Sequence, residues 1–89
     1  MDDKVVLVGT KPVMNYVLAV VTIFNSGKKE VIVKARGKAI TRAVDAVEIV
    51  VRQFLTDVVK EKVSIGTESV DSDNGPSNIS SIEIVLSRK

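Results

Sequence analysis

Two spacings organise the hydrophobic positions of this chain. After Pro12 and again after Gly37, apolar residues recur every three or four positions, which is typical of amphipathic helices. The first helix should begin at Pro12, because a missing N–H group suits the first helical turn, and end before Gly27. The second should run from Gly37 to about Leu55. Both helices are apolar around more than half of their circumference.

Strands are predicted on either side of these helices. Residues 4–8 (KVVLV) form a short apolar run that should be buried on both faces of a sheet, and residues 30–36 (EVIVKAR) form the second strand. In the last third of the chain the period changes to two, which predicts amphipathic strands around residues 63–66 and 81–86. Residues 71–77 (DSDNGPS) are rich in turn formers, so these strands should form a long hairpin.

With strands and helices numbered along the chain, the predicted order is β1-α1-β2-α2-β3-β4. Right-handed crossovers place both helices on the same side of the sheet. The predicted fold class is therefore α/β, a two-layer sandwich with a four-stranded mixed sheet and two helices on one face, in a single domain at residues 1–89. The helices carry more apolar surface than one sheet can cover. Either valine and alanine tolerate exposure here, or the chain associates with itself, which we favour.

The composition excludes most familiar catalysis. The chain has no cysteine and no histidine, which removes disulfides, thiolate and imidazole metal ligands, thiol nucleophiles and the commonest general base. The sequence shows no nucleophile beside a base and no metal-ligand cluster, so we predict no catalytic residue, metal or cofactor. A small enzyme that acts on a phosphorylated metabolite is the third interpretation. The first two are binding functions and are described below.

The sequence predicts neither a membrane span nor an export signal. The longest apolar stretch, residues 12–24, is too short to span a bilayer and contains Asn15, Tyr16 and Thr22, as expected of a buried helix. The first residues, MDDKVV, lack the basic start and apolar middle of a signal peptide. We therefore expect a cytoplasmic protein.

Charge is distributed unevenly along the chain. The total is only +2, but residues 1–42 carry a net charge of +5 and residues 43–87 carry −5, with Arg88 and Lys89 supplying the rest. This asymmetry suggests one basic face for an anionic partner. The alternative is a solvated surface with scattered charges.

Four cations crowd around the glycine that joins the second strand to the second helix: Lys34, Arg36, Lys38 and Arg42. Lys34 and Arg36 are two residues apart on a strand and therefore point to the same side. Cations oppose the dipole at a helix N-terminus by about 0.3–1 kcal/mol each, so folding gives no reason to collect them there. A bound phosphate removes this conflict.

The start of the first helix repeats this arrangement, since Thr10 and Lys11 follow Gly9. Both βα turns emerge at the same end of a sheet, so the two junctions should form one basic edge. Asn15 and Tyr16 border this edge, where either side chain can reach a sugar or phosphate, although a packed tyrosine is the commoner arrangement. One tyrosine and two phenylalanines are too few to stack successive unpaired bases, which favours duplex backbone binding with little sequence preference.

Three segments carry a resemblance to a known family. They are VVLVGTKPVMNYVLA at 5–19, VIVKARGKAITRAVDAVEIV at 31–50 and SSIEIVLSRK at 80–89. The pattern GxKPVMNYV followed by KARGxAI is highly specific. On these residues the sequence resembles the Alba family, small archaeal chromatin proteins that coat DNA and also bind RNA.

The resemblance implies a homodimer that binds double-stranded DNA without marked sequence preference. It places the main backbone contacts on Lys11, Arg36 and Lys38, with Asn15 and Tyr16 nearby.

The resemblance also accounts for the excess apolar surface. It implies that the second helix and the last strands form the dimer. Dimers would then touch one another through a patch that includes Phe54.

The sequence departs from the family pattern at two places. Alba proteins often have two lysines before the proline, one of them acetylated to weaken binding, whereas here Thr10 takes the first place. Lys11 is thus the one candidate of that pair for a protein acetylase and deacetylase. The hairpin tip, which reaches toward the minor groove in basic members, carries Asp71 and Asp73, so these arms should not hold DNA tightly.

The leading interpretation is a non-enzymatic, largely sequence-independent double-stranded DNA-binding chromatin protein. It would coat and compact DNA as a dimer, also bind RNA, and lie on the chromosome in the cytoplasm. The alternative is an RNA-binding module of a ribonucleoprotein, since the same edge fits an A-form backbone. The predicted nucleic-acid-binding residues are Lys11, Asn15, Tyr16, Lys34, Arg36, Lys38 and Arg42.

Overall fold

The computed structural model describes residues 3–89. Its elements are β1 Val5–Leu7, α1 Val13–Asn25, β2 Glu30–Arg36, α2 Ala39–Ile49, a π-helical turn Val50–Phe54, β3 Val58–Ser72 and β4 Gly75–Arg88. The first two residues, part of the predicted domain and of the segment used to judge an export signal, lie outside the described residues. Within residues 3–89, no helix combines the length and apolar character needed to cross a membrane.

The four strands form one mixed sheet in the order β1-β2-β4-β3. β1 lies parallel to β2, and β4 lies antiparallel to both β2 and β3. In this register Val33 of β2 pairs with Val6 on one side and with Ile84 on the other. The predicted element order and α/β fold class are confirmed, and the structure adds the position of β4 between β2 and β3.

Both helices pack on one face of the sheet. Residues directly opposite each other on neighbouring strands share a face, so the paired valines and isoleucine all point toward the helices. Each large apolar side chain buried in this way contributes about 1.5–3 kcal/mol. The core includes Val6, Val31, Val33, Ile84 and Leu86 from the sheet, Val17, Val20 and Phe24 from α1, and Ala43, Ala46, Val47 and Val50 from the second helical segment.

β1 is an edge strand, and the prediction that it is buried on both faces was wrong. Val6 is buried against the helices, but Leu7 points to the opposite face and is 71% exposed. The sheet carries helices on one face only, so even a strongly apolar strand has a single covered face here.

The sequence predicts that the second helix runs to about Leu55. In the structure the α-helical part, α2, ends at Ile49. The chain continues in a π-helical turn, in which the N–H of Leu55 donates to the carbonyl of Val50 at 2.8 Å. In an unbroken α-helix Phe54, four residues after Val50, would share its buried face. The π turn gives that place to Leu55, which packs against the core, and leaves Phe54 45% exposed.

The hairpin of β3 and β4 has a shorter turn than the sequence predicts. Strand pairing continues to Ser72 and Gly75, so only Asp73 and Asn74 connect the strands. Gly75 has a φ of 99°, a conformation that favours glycine and lets the chain reverse tightly. Most of the predicted turn segment 71–77 is therefore strand.

A small ion-pair cluster connects α2 to β3. Glu48 accepts hydrogen bonds from Lys60 of β3 and from Arg52 of the π turn, which lies four residues further along the chain. The bond from Lys60 is the main cause that lowers the pKa of Glu48, partial burial opposes it, and Arg52 adds to it. The stabilisation by this cluster is therefore lost as pH falls through the lowered pKa of Glu48.

Candidate nucleic-acid interface

The two βα turns lie side by side at one end of the sheet. The parallel pairing of β1 and β2 ends with the N–H of Val8 donating to the carbonyl of Lys34 at 2.8 Å, so both chains leave the sheet in the same direction. Residues of both turns line one cleft of about 880 Å³. We refer to residues 9–11, residues 34–38 and Arg42 as the basic edge.

Both helix starts at the basic edge lack the groups that usually compensate free main-chain N–H groups. Pro12 precedes α1 and Lys38 precedes α2, and neither position provides a side-chain cap. Neither first turn contains an acidic residue. The N–H groups and the helix dipoles therefore add to the positive charge of the lysines, an arrangement that favours a bound anion.

Tyr16 and Arg42 fix the main chain of the first βα turn, which connects β1 to α1. The Tyr16 hydroxyl accepts hydrogen bonds from the N–H groups of Gly9 at 2.9 Å and Lys11 at 3.1 Å. Arg42 Nη1 donates to the carbonyl of Gly9 at 2.6 Å. Tyr16 belongs to α1 and is only 8% exposed, whereas Arg42 belongs to α2. The turn is therefore clamped to both helices, while the Lys11 side chain stays exposed.

Asn15 lies beside Lys11 rather than in the main cleft. Both residues line a second groove, of about 510 Å³, between α1 and β1. Exposed Leu7 and Leu18 line the same groove. The structure thus groups Asn15 with Lys11 in a groove that the cations on β2 do not line.

Lys34 and Arg36 point to the face of the sheet that is not covered by the helices. On that face each of them forms an ion pair with an acidic residue. Lys34 Nζ lies 3.4 Å from Oε1 of Glu83, which is directly opposite on β4. Arg36 Nη1 lies 3.9 Å from Oε1 of Glu68 on β3. Two of the predicted binding cations are therefore partly compensated within the subunit.

Lys11 and Lys38 are the two lysines of the basic edge that have no acidic partner within residues 3–89. Both side chains are exposed. Neither forms an ion pair with an acid in residues 3–89. These two lysines are therefore available to an anion from solution without breaking an internal contact.

The sequence analysis did not identify Glu68 and Glu83 as part of this region. Both lie far along the chain from Lys34 and Arg36, and they approach them only because β4 sits between β2 and β3. The alternating pattern indicates which residues of one strand share a face, but it does not say which strand is the neighbour or in what register. The sequence patterns thus predicted the positions of the cations but not the acidic residues that pair with them.

Gly37 shapes the second junction, and its replacement by alanine should destabilise the protein. Its φ of 55° lies in the left-handed region, and a Cβ there would come within 2.9 Å of Ile79 Cδ1. We expect Gly37→Ala to lower the free energy of unfolding by about 1–3 kcal/mol, measured by chemical denaturation. Gly66→Ala is the control, because its nearest atom, Ser81 Oγ, is at an ordinary 3.5 Å. Equal losses in both variants would contradict this expectation.

Removing the Tyr16 hydroxyl tests the clamp on the first turn. Tyr16→Phe keeps the buried ring but leaves the N–H groups of Gly9 and Lys11 without their acceptor, so the free energy of unfolding should fall by about 1–2 kcal/mol. Hydrogen exchange of those two amides should accelerate, while amides within β2 keep their protection. The clamp would be refuted by unchanged exchange at both amides.

Comparisons with known proteins agree with this architecture. A family model described as Alba matches residues 4–67. The chain is 61% identical over 84 residues to the DNA/RNA-binding protein Alba of Methanoculleus marisnigri, covering 94% of this chain and 92% of the relative. It is 57% identical over 89 residues to DNA/RNA-binding protein Alba 1 of Archaeoglobus fulgidus, covering 100% of both.

A solved structure gives the same result for the fold. Alba from Thermoplasma volcanium superposes with a TM-score of 0.92 at 51% sequence identity. The superposition covers 94% of this chain and 99% of that chain. With the family model and the two relatives, this agreement shows that the chain belongs to the Alba family.

Proposed function

We propose that the chain is a non-enzymatic nucleic-acid-binding domain, residues 1–89, that binds double-stranded DNA with little sequence preference and also binds RNA. The basic edge carries this proposal, because two uncapped helix starts meet there with Lys11 and Lys38, which have no acidic partner within residues 3–89. Phosphates supply the negative charge that this edge lacks. The names of the two relatives, both DNA/RNA-binding proteins, support the same function.

In this proposal the contacts go to the nucleic-acid backbone. Lys11 and Lys38 bind phosphates directly, and Lys34 and Arg36 do so by exchanging a carboxylate for a phosphate. Asn15 reaches a sugar or phosphate next to Lys11. Backbone contacts position the protein without reading sequence, which explains the expected lack of sequence preference.

Tyr16 and Arg42 contribute to binding through the first turn rather than through the phosphates. Their internal hydrogen bonds hold Gly9 and the main chain of Lys11 in one conformation. Because this turn is already fixed, binding through the Lys11 side chain does not require ordering of the main chain.

The apolar surface that the subunit leaves uncovered supports a homodimer formed by α2 and the last strands. Val44 of α2 is 41% exposed, and Val63 and Ile65 of β3 are 54% and 83% exposed. Val63 pairs directly with the buried Ile84, so both β3 residues lie on the helix side of the sheet, where neither helix covers them. A second copy of the chain would bury this strip and add a second basic edge to the assembly.

Phe54, exposed at the π turn, is the proposed contact between neighbouring dimers. Repeated contacts of this kind along a duplex would coat and compact DNA. The protein would then act as a chromatin protein and lie on the chromosome in the cytoplasm.

Lys11 is the proposed target of a protein acetylase and deacetylase. Its side chain is exposed, and acetylation would remove the charge of one of the two lysines of the basic edge that have no acidic partner within residues 3–89. Intact mass of protein isolated from its natural source would show the acetyl group, and binding to duplex DNA should weaken in the acetylated form.

A salt titration tests the proposed function. Binding is measured to a random-sequence DNA duplex, an RNA duplex and a single strand at about 50–200 mM salt. If three or four cations per subunit meet phosphates, log K should fall with log salt with a slope of about −0.9 per contact. Tighter binding to structured RNA than to duplex DNA at matched salt would favour an RNA-binding module of a ribonucleoprotein. Failure to bind any of these ligands would refute both functions.

A further inference from the structure

Arg36 reaches an acid two strands away because the residues between them are small. Ser81 of β4 lies directly opposite Arg36, and Gly66 of β3 lies directly opposite Ser81. Neighbouring strands are about 4.8 Å apart, so the main chains of β2 and β3 are roughly 10 Å apart. The Arg36 and Glu68 side chains together bridge this separation across β4, with Nη1 3.9 Å from Oε1. Serine and glycine leave this path open, whereas larger side chains would block it.

Lys34 is compensated on the same open face of the sheet by Glu83, its direct neighbour on β4. The four side chains of the two ion pairs are between 40% and 57% exposed. Water and salt therefore weaken both pairs. Weak, exposed pairs of this kind exchange readily when another anion approaches from solution.

A polyanion thus meets two kinds of cation at the basic edge. Lys11 and Lys38 bind it without losing an internal partner. Lys34 and Arg36 bind it only after a carboxylate has left, so part of the attraction between each cation and a phosphate is cancelled by the lost ion pair.

We propose that Glu68 and Glu83 set the affinity of the basic edge by acting as internal substitutes for phosphate on Arg36 and Lys34. This inference rests on the proposed nucleic-acid-binding function. The two carboxylates occupy these cations in the free subunit and leave them when a duplex binds. They lower the affinity for the duplex and keep the complex reversible.

The test compares two double variants that change the net charge equally. Glu68→Gln/Glu83→Gln removes the two internal counter-ions, whereas Asp45→Asn/Glu61→Gln removes two exposed acids that form no ion pair within residues 3–89. The first variant should bind a random-sequence DNA duplex about three- to tenfold more tightly than the wild type, and the second less than about twofold. The slope of log K against log salt should steepen only in the first variant.

A second comparison shows whether the gain in affinity depends on Lys34 and Arg36. In a Lys34→Ala/Arg36→Ala background, the two glutamine substitutions should add no affinity beyond that of the charge-matched variant. An equal gain in both backgrounds, or an equal gain from the matched variant, would overturn the inference. A wild-type protein that does not bind the duplex would instead refute the proposed function. Thermal unfolding close to that of the wild type confirms that each variant is folded.

Discussion

Replacing Arg36 and Lys38 together by alanine is expected to weaken binding to DNA duplexes by about 100-fold at about 0.1 M salt. Each subunit loses two phosphate contacts, and a dimer loses both pairs. The slope of log K against log salt should become shallower by about 0.9 for each lost contact. Because backbone contacts carry no sequence information, unrelated duplexes should lose affinity equally. Fluorescence anisotropy titrations at several salt concentrations measure all three effects.

Lys28 and Lys29 provide the matched control for this experiment. Both are exposed and precede β2, whereas Arg36 ends that strand, so Lys28→Ala/Lys29→Ala removes the same charge roughly 20 Å from the basic edge. This distance is about two Debye lengths at 0.1 M salt, and the control should lose less than about threefold in affinity. Equal losses in both pairs would point to net charge alone. Unchanged affinity without Arg36 and Lys38 would exclude the basic edge as the binding site.

Replacing Ile65 by aspartate is expected to convert the proposed dimer into monomers and to reduce duplex affinity by about 100-fold. Ile65 is 83% exposed in the subunit, so the substitution should leave the fold of the subunit intact. In the dimer the same position would be buried, where an aspartate would lose its hydration without gaining a partner. Sedimentation equilibrium gives the association state, and circular dichroism confirms that the subunit stays folded.

Two further variants separate the dimer from contacts between dimers. Leu18→Asp is the control for Ile65→Asp. Leu18 has the same size as Ile65 and is 55% exposed, but it lies on α1, outside the proposed dimer interface. This variant should remain dimeric. Phe54→Ala should also remain dimeric but should bind long duplexes with less cooperativity than the wild type. A dimer that persists in Ile65→Asp would contradict the proposed interface.

The basic edge was largely predictable because its cations lie close together in the sequence. Lys34, Arg36 and Lys38 surround one glycine, and the parallel βα order brings Lys11 to the same end of the sheet. Their electrostatic state was not predictable. It depends on Glu83 and other acids that approach only across strands, through a register that sequence periodicity does not specify.

The roles of the two helix residues Tyr16 and Phe54 show the same limit. The sequence placed Tyr16 at the border of the basic edge, but only the packing of α1 against the first βα turn directs its hydroxyl to two main-chain N–H groups. Phe54 has the spacing of a buried helix position. The π-helical turn, in which the N–H of Leu55 donates to the carbonyl of Val50, shifts the helical phase and exposes Phe54.

The sequence by itself determined the order of helices and strands and the concentration of positive charge at the two helix starts. These features follow from local spacing and from turn residues such as Gly37, which act over a few neighbouring positions. The tertiary structure alone decided that β1 lies at an edge, that β4 lies between β2 and β3, and that Glu68 meets Arg36. Those outcomes depend on which strands become neighbours, a choice made by long-range packing of the whole chain.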